Sequence, residues 1–312
     1  MPNFQGAELR ISSGNKSLDI ICDNIQSTNI SYQNNRQETI YLGNYNPELN
    51  KPIINFTPIQ LSFSYLKTNN NLIEENLGLL NLSGCFINLV SNNNINDYSS
   101  RDYKLLFRPP NTQNYNGQIN LYSGYLSQYN LSANVGNPLA CAVTIEALDI
   151  ESLANNSGQI QITGKQIISP ESTLITGINF SGLGISGLQI QSFSLNLSIQ
   201  RNNSFVLGQK FPQKTIVQTN GQIQINGFLN NISQLAKLST INQNSPENNI
   251  VLNLKNNCST GNFSTITIQK PYLDSKQISN QVGNFANVSL NFLVKPTIRP
   301  MEWSGENIII SN

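Results

Sequence analysis

Two long stretches of this 312-residue chain carry the same pattern, and that repetition constrains the fold more than any other feature. Residues 117–147 read GQINLYSGYLSQYNLSANVGNPLACAVTIEA, and residues 264–292 read STITIQKPYLDSKQISNQVGNFANVSLNF. Tyr125-Leu126 matches Tyr272-Leu273, Leu131-Ser132 matches Ile278-Ser279, and Val135-Gly136-Asn137 matches Val282-Gly283-Asn284, all at an offset of 147. Beyond this point, dropping two residues at Pro138-Leu139 aligns Val143-Thr144-Ile145 with Val288-Ser289-Leu290. An upstream block, GLLNLSG at 78–84, lies over GQIQING at 221–227. A period near half the chain length reads as a duplicated domain rather than a solenoid of short repeats. Two tandem related domains are therefore expected, 1–155 and 156–312, with the boundary at Asn155-Asn156-Ser157-Gly158.

Period-two alternation dominates within both halves. Phe193, Leu195, Leu197 and Ile199 share one face of a segment whose other face is Ser and Asn. Ile59-Gln60-Leu61-Ser62-Phe63, Ala142 to Ile145, Gly221 to Gly227, Thr265 to Ile268 and Val288 to Phe292 repeat the pattern. Strands with one wet and one dry face belong to antiparallel sheets. The expected fold class is all-β, a sandwich or barrel with a minor helix, in two tandem related antiparallel domains.

Helical signals are few. Ser233 to Ile241 spaces Leu235, Leu238 and Ile241 by three behind a capping Ser233. The corresponding place in the first half, 89–100, is Asn-rich and breaks the pattern. Ile150 to Ala154 is a shorter helix candidate. The Gly-rich stretch 177–187 has no Gly-Lys-Ser/Thr and precedes a strand, so it reads as a mobile loop or long hairpin and not a phosphate cradle. The apolar arm around Trp303 and Asn307 to Ile310 is expected to join its own domain or to dock on a neighbour.

Charged residues make up 11% of the chain and the net charge is +1, so polarity comes from Asn, Gln, Ser and Thr. Asn alone is about one residue in six, against a usual fraction several-fold lower. Such a balance offers no electrostatic footprint for nucleic acid or a membrane surface. The opening MPNFQGAELRISSGNK has no apolar h-region, arguing against a secretory signal. Cys22, Cys85, Cys141 and Cys258 are widely spaced, which fits free thiols in a reducing compartment.

The chain has no histidine, which removes the usual general base, the commonest metal ligand and every Ser-His or Cys-His pair. Glu74-Glu75 is the lone adjacent carboxylate pair, and Glu146, Asp149 and Glu151 gather near the boundary without ligand spacing. No catalytic residue, metal ligand or cofactor is assigned, and a structural or binding role is expected instead of an enzyme.

Residues 191–212, QSFSLNLSIQRNNSFVLGQKFP, resemble a strand-turn-strand of tailed-bacteriophage tail tube-like virion proteins, and Gly124 to Gly136 with Ala140 to Thr144 is similar to another recurring phage structural pattern. The two matches span roughly half the chain. The resemblance implies a virion structural protein, synthesised in the host cytoplasm and built into the tail, whose subunits form rings that stack into a DNA conduit. It implies a homo-oligomeric ring of three or six subunits, contacts with other tail proteins, and passage of DNA without specific binding or membrane contact. Arg201, Leu207, Gly208, Phe211 and Pro212 are the expected assembly residues, with Gly136 and Gly283 as repeat turn glycines. Lys67 stands where Arg201 does in this reading, with no Leu-Gly-x-Lys-Phe-Pro after it. Alternatives are a neck or baseplate component, or a carbohydrate- or receptor-binding β-protein using Tyr98, Tyr103, Tyr115, Tyr122, Tyr125 and Tyr129.

Overall fold

The computed structural model describes residues 6–13, 20–22, 25–32, 35–37, 53–55, 59–67, 73, 74, 77, 101–108, 114–159, 174–182, 187–204, 214–229, 237, 249–256, 263–279, 286–294 and 307–311. Among them the fold is all-β and every strand pairing is antiparallel. The first half supplies β1 (Gly6–Ser13), β2 (Ile20–Cys22), β3 (Ile25–Ser31), β4 (Asn35–Gln37), β5 (Ile53–Asn55), β6 (Ile59–Leu66), β7 (Arg101–Arg108), β8 (Asn114–Asn134), β9 (Ala140–Ala147) and β10 (Asp149–Gln159). The second supplies β11 (Gly177–Ser181), β12 (Leu188–Ser204), β13 (Lys214–Leu229), β14 (Ile250–Lys255), β15 (Ser264–Gln269), β16 (Tyr272–Ser279), β17 (Ala286–Val294) and β18 (Asn307–Ser311).

The alternation seen in the sequence sets the faces. In β6 the side chains of Ile59, Leu61, Phe63 and Tyr65 are buried while the intervening ones reach solvent, and β17 alternates in the same way. Strand β8 belongs to two sheets. Its first stretch pairs with β7 and β10, its second with β9 and β12, and the chain turns between them at Ser123. One sheet of the first half thus runs β10-β8-β7-β1-β2, the other β3-β6-β9-β8, and buried residues of both join one core cluster.

Among the described residues the second half repeats this plan except for β2, with β15 and β16 together standing for the single strand β8. β18-β15-β14-β11 matches β10-β8-β7-β1, and β12-β13-β17-β16 matches β3-β6-β9-β8. Ladder registers show the correspondence residue by residue. Tyr125 faces Glu146 as Tyr272 faces Leu293, and Leu131 faces Cys141 as Ile278 faces Val288. Each hairpin carries a bulge at the same place, after Leu126 and after Leu273. The offset therefore stays at 147 on both strands, and β7 keeps it too, since Leu105 faces Ile119 as Leu252 faces Ile266. This corrects the two-residue deletion read at Pro138-Leu139: Val143, Thr144 and Ile145 correspond to Leu290, Asn291 and Phe292. Alternating strands offer apolar matches at shifts of two, and only the ladder tells them apart.

Other strands match at their own offsets. Ile25-Gln26-Ser27 in β3 corresponds to Ile190-Gln191-Ser192 in β12, each with a bulge at the Gln. Beside the bulge, Ser27 and Ser64 hydroxyls meet at 2.6 Å, and Asn226 donates to the Ser192 hydroxyl at 3.0 Å. Gln60 corresponds to Gln222, so the upstream counterpart of Gly221 to Gly227 is Ile59 to Tyr65; residues 78–84 lie outside the described ones.

Several other expectations change. Ile150 to Ala154 is part of strand β10, not a helix, because Asp149 to Leu153 complete a ladder with Gln118 to Tyr122 and so satisfy their backbone groups across the sheet. Residue 155 lies inside β10, and the two copies of the strand plan meet between Gln159 and Gly177. Gly177 to Ser181 is strand β11, paired with β14, rather than loop. The arm at Asn307 to Ser311 pairs with β15 of its own chain. Ile73, Glu74 and Lys237 are helical; the rest of 233–241 and all of 89–100 lie outside the described residues.

Candidate assembly surface

Where the copies meet, β8 of the first pairs with β12 of the second over Gln128 to Asn134 and Ser192 to Ser198. The two four-stranded sheets thereby become one of eight, ordered β3-β6-β9-β8-β12-β13-β17-β16. The junction is head to tail: the last strand of one copy meets the first strand of the next. Backbone bonds extend it, from Val135 N–H to Gln191 O at 2.9 Å and from Gly136 N–H to Ile175 O at 2.8 Å. Leu131, Tyr129, Leu195 and Leu197 on its core face are buried.

The opposite face is neutral and polar. A single cross-strand row passes through Ser27, Ser64, Ala142, Asn130, Asn196, Gln222, Leu293 and Tyr272, crossing all eight strands. Its neighbouring row carries Ala140, Ser132, Ser194, Gln224, Asn291 and Ser275, within which Asn291 donates to the Ser275 hydroxyl at 2.8 Å. Among the described side chains of this face no Lys or Arg occurs; Glu146 stands near one end and Asp274 in the β16 bulge.

Sequence reasoning missed a buried polar cluster in the first copy. Glu74 Oε1 accepts from Tyr65 OH at 2.7 Å, from Lys67 Nζ at 3.0 Å and from Tyr129 OH at 3.2 Å, with Cys141 Sγ at 3.4 Å from Tyr129 OH. Lys67 and Glu74 are each 1% exposed, so the ion pair is closed to solvent. Burial, with Glu74 beside it, lifts the Cys141 thiol to about 12, and burial pushes the Tyr65 and Tyr129 phenols up as well. A thiol so raised keeps its proton at neutral pH and is a poor nucleophile. The ladder gives Gly227, Lys276 and Val288 as the second copy's counterparts of Tyr65, Tyr129 and Cys141. One signal was available: Lys67 falls in phase with Ile59, Leu61, Phe63 and Tyr65, where the core face demands an apolar residue or a partnered charge.

The expected assembly residues are placed only in part. Arg201 lies in β12 opposite Val217, while Leu207, Gly208, Phe211, Pro212 and Gly283 lie outside the described residues. Gly136 takes φ +88° in the β8–β9 turn, a conformation that L side chains resist. Lys67 is not the counterpart of Arg201, because β6 and β13 correspond at an offset of 162, which sets Lys67 over Leu229; by sequence Arg36 matches Arg201, 165 positions on as Ile190 is from Ile25, and it faces Ile54 in the β4–β5 hairpin. The same step sets Leu42-Gly43 and Pro47 over Leu207-Gly208 and Pro212, so the first half keeps an Arg-x(5)-Leu-Gly-x(3)-Pro spacing.

Of the tyrosines considered for sugar stacking, Tyr103 and Tyr129 are core residues. Tyr122 donates to Glu151 at 2.6 Å; that hydrogen bond raises the phenol and lowers the carboxylate. Among the described residues no group of three His, Cys, Asp or Glu could hold a metal ion. No protein-family model matches the chain, and no curated protein matches it.

Proposed function

We propose that this chain is a bacteriophage virion structural protein, a tail tube subunit that assembles into stacked rings forming the DNA conduit. One observation carries the reading: a continuous eight-stranded sheet, shared by two copies of one strand plan, presents a hydroxyl and amide face without Lys or Arg among its described side chains. Phosphate affinity grows with each cation that displaces counterions from DNA, so such a face lets a duplex slide past without retention. Amide and hydroxyl groups stay hydrated at any salt concentration, which keeps the passage wet. Two copies of one sheet joined head to tail within a subunit also repeat the kind of contact that closes a ring of subunits.

Negative-stain microscopy of the concentrated purified protein tests this. Rings or stacked tubes with a lumen wide enough for duplex DNA are expected. A monodisperse monomer across protein and salt concentrations would sink the reading, as would filled discs with no channel.

A further inference from the structure

We infer that the outer edge of β3 pairs with the outer edge of β16 of a second copy of this chain, antiparallel, with Ile30 opposite Ile278. The chain already contains the contact once. In the β8–β12 junction Ser194 faces Ser132, Leu195 faces Leu131 and Asn196 faces Asn130. β3 is the first copy's version of β12, and β16 is the second copy's version of β8. Carrying each residue to its counterpart gives Asn29 opposite Ser279, Ile30 opposite Ile278 and Ser31 opposite Gln277. β3 and β16 end the eight-stranded sheet, and among the described residues no strand covers the outer edge of either.

Exposure supports the same conclusion independently. Leu195 and Leu131 are fully buried within the internal junction, whereas their counterparts Ile30 and Ile278 are only partly buried. Leu197 is 3% exposed and its counterpart Tyr32 is 58% exposed. An aromatic left uncovered where its twin is buried marks a surface that awaits the same cover. The β3 edge from Ile25 to Ser31 carries no Pro or charged residue, the usual devices by which an edge refuses a partner. The register also brings Tyr32 opposite Lys276, an aromatic ring beside an ammonium, a pairing that a specific mate can accommodate.

This pairing deepens the ring reading above, resting on its premise that copies of the chain associate and on nothing about the virion. Single variants Asn29→Cys and Ser279→Cys, each confirmed folded by circular dichroism, are mixed before assembly and oxidised, and the disulfide is located by peptide mass spectrometry. A heterodisulfide between the two is expected at least tenfold above that from Asn29→Cys mixed with Gln277→Cys, which is slipped by two residues. Rings seen by microscopy without that disulfide, or with equal yields from both mixtures, overturn the pairing and leave the ring reading standing. Monomer without any disulfide overturns both. In the double variant, a disulfide formed only within one chain also overturns the pairing, because β3 and β16 then close on each other.

Discussion

Ser123 and Lys270, 147 positions apart, hold the same left-handed backbone conformation, with φ 51° and 46°. Each donates its amide to the side chain of a residue that is itself 147 positions from its counterpart: Ser123 to Asp102 Oδ1 at 3.0 Å, Lys270 to Asn249 Oδ1 at 3.4 Å. Both stand at the corner where the chain passes from one sheet to the other, between the β7- and β9-paired stretches of β8 and between β15 and β16. The corner is thus built the same way twice, from a strained residue and an upstream acceptor.

Glycine at either corner should relieve that strain. Ser123→Gly and Lys270→Gly are each expected to raise stability by about 1 kcal/mol, the cost of a left-handed L-residue. The gains should add in the double variant because the corners share no partner. Urea denaturation measures all three, and a loss of stability in either single variant contradicts the corner's role.

Gly227 admits no side chain. An added Cβ would lie 2.4 Å from Gln189 O in the neighbouring strand, whereas at Gly177 it would meet nothing within 4 Å. Gly227→Ala should therefore cost about 2 kcal/mol or more through backbone displacement. Gly177→Ala should stay within about 0.5 kcal/mol. Equal denaturation midpoints would refute the close approach.

Glu74→Ala removes the carboxylate from the buried Lys67 ammonium and should cost about 3–5 kcal/mol. The paired change Lys67→Met with Glu74→Leu should recover part of that loss, since two apolar groups replace two charges together while the Tyr65 and Tyr129 hydroxyls lose an acceptor. Thermal melts of the three variants decide it; a double variant no better than Glu74→Ala means the cluster's packing matters more than its charge.

Stability should decline in alkali through the same cluster. The Cys141 thiol is raised to about 12 in the folded chain, against ~8.5 when unfolded. Below the unfolded value both states hold the proton and the contribution is complete. As pH rises from there toward the folded value, the unfolded chain loses its proton first, and stability falls by up to about 1.4 kcal/mol per pH unit. Cys141→Ala should flatten this limb relative to the parent in denaturation curves taken from pH 7 to 10; an unchanged slope would contradict the shift.

Arginine on the polar sheet face should make the assembled protein hold DNA. With Asn130→Arg, Ser194→Arg and Gln224→Arg combined, duplex affinity is expected to fall with salt at a log–log slope that steepens by about 0.9 for each phosphate neutralised. Fluorescence anisotropy over a salt series reads the slope. Strong, salt-steep binding by the unaltered protein would contradict a neutral passage.

The strand faces were legible because alternation is local: Leu195, Leu197 and Ile199 declare their side whatever they pair with. The repeat was legible too, at Tyr125 and Tyr272. Its extent was not, because Ile59 to Tyr65 shares with Gly221 to Gly227 only a buried face, and the match at 78–84 looked better by letters. The match of Arg36 to Arg201 is hard to read for a similar reason, since β3 ends at Ser31 while β12 runs through Arg201 to Ser204. The Glu74 cluster lay beyond local reading altogether: its members come from β6, β8, β9 and a helical residue, and distance along the chain hides them from one another.

The β8–β12 junction has a kinetic consequence. Two equivalent sheets held on one chain meet at an effective concentration fixed by their covalent connection, not by how much protein the solution contains. Dilution cannot separate them, and the pair arrives at any larger assembly already oriented. Having two sequences in place of one, the halves are also free to diverge, as Tyr129 and Cys141 of the first and Lys276 and Val288 of the second already have.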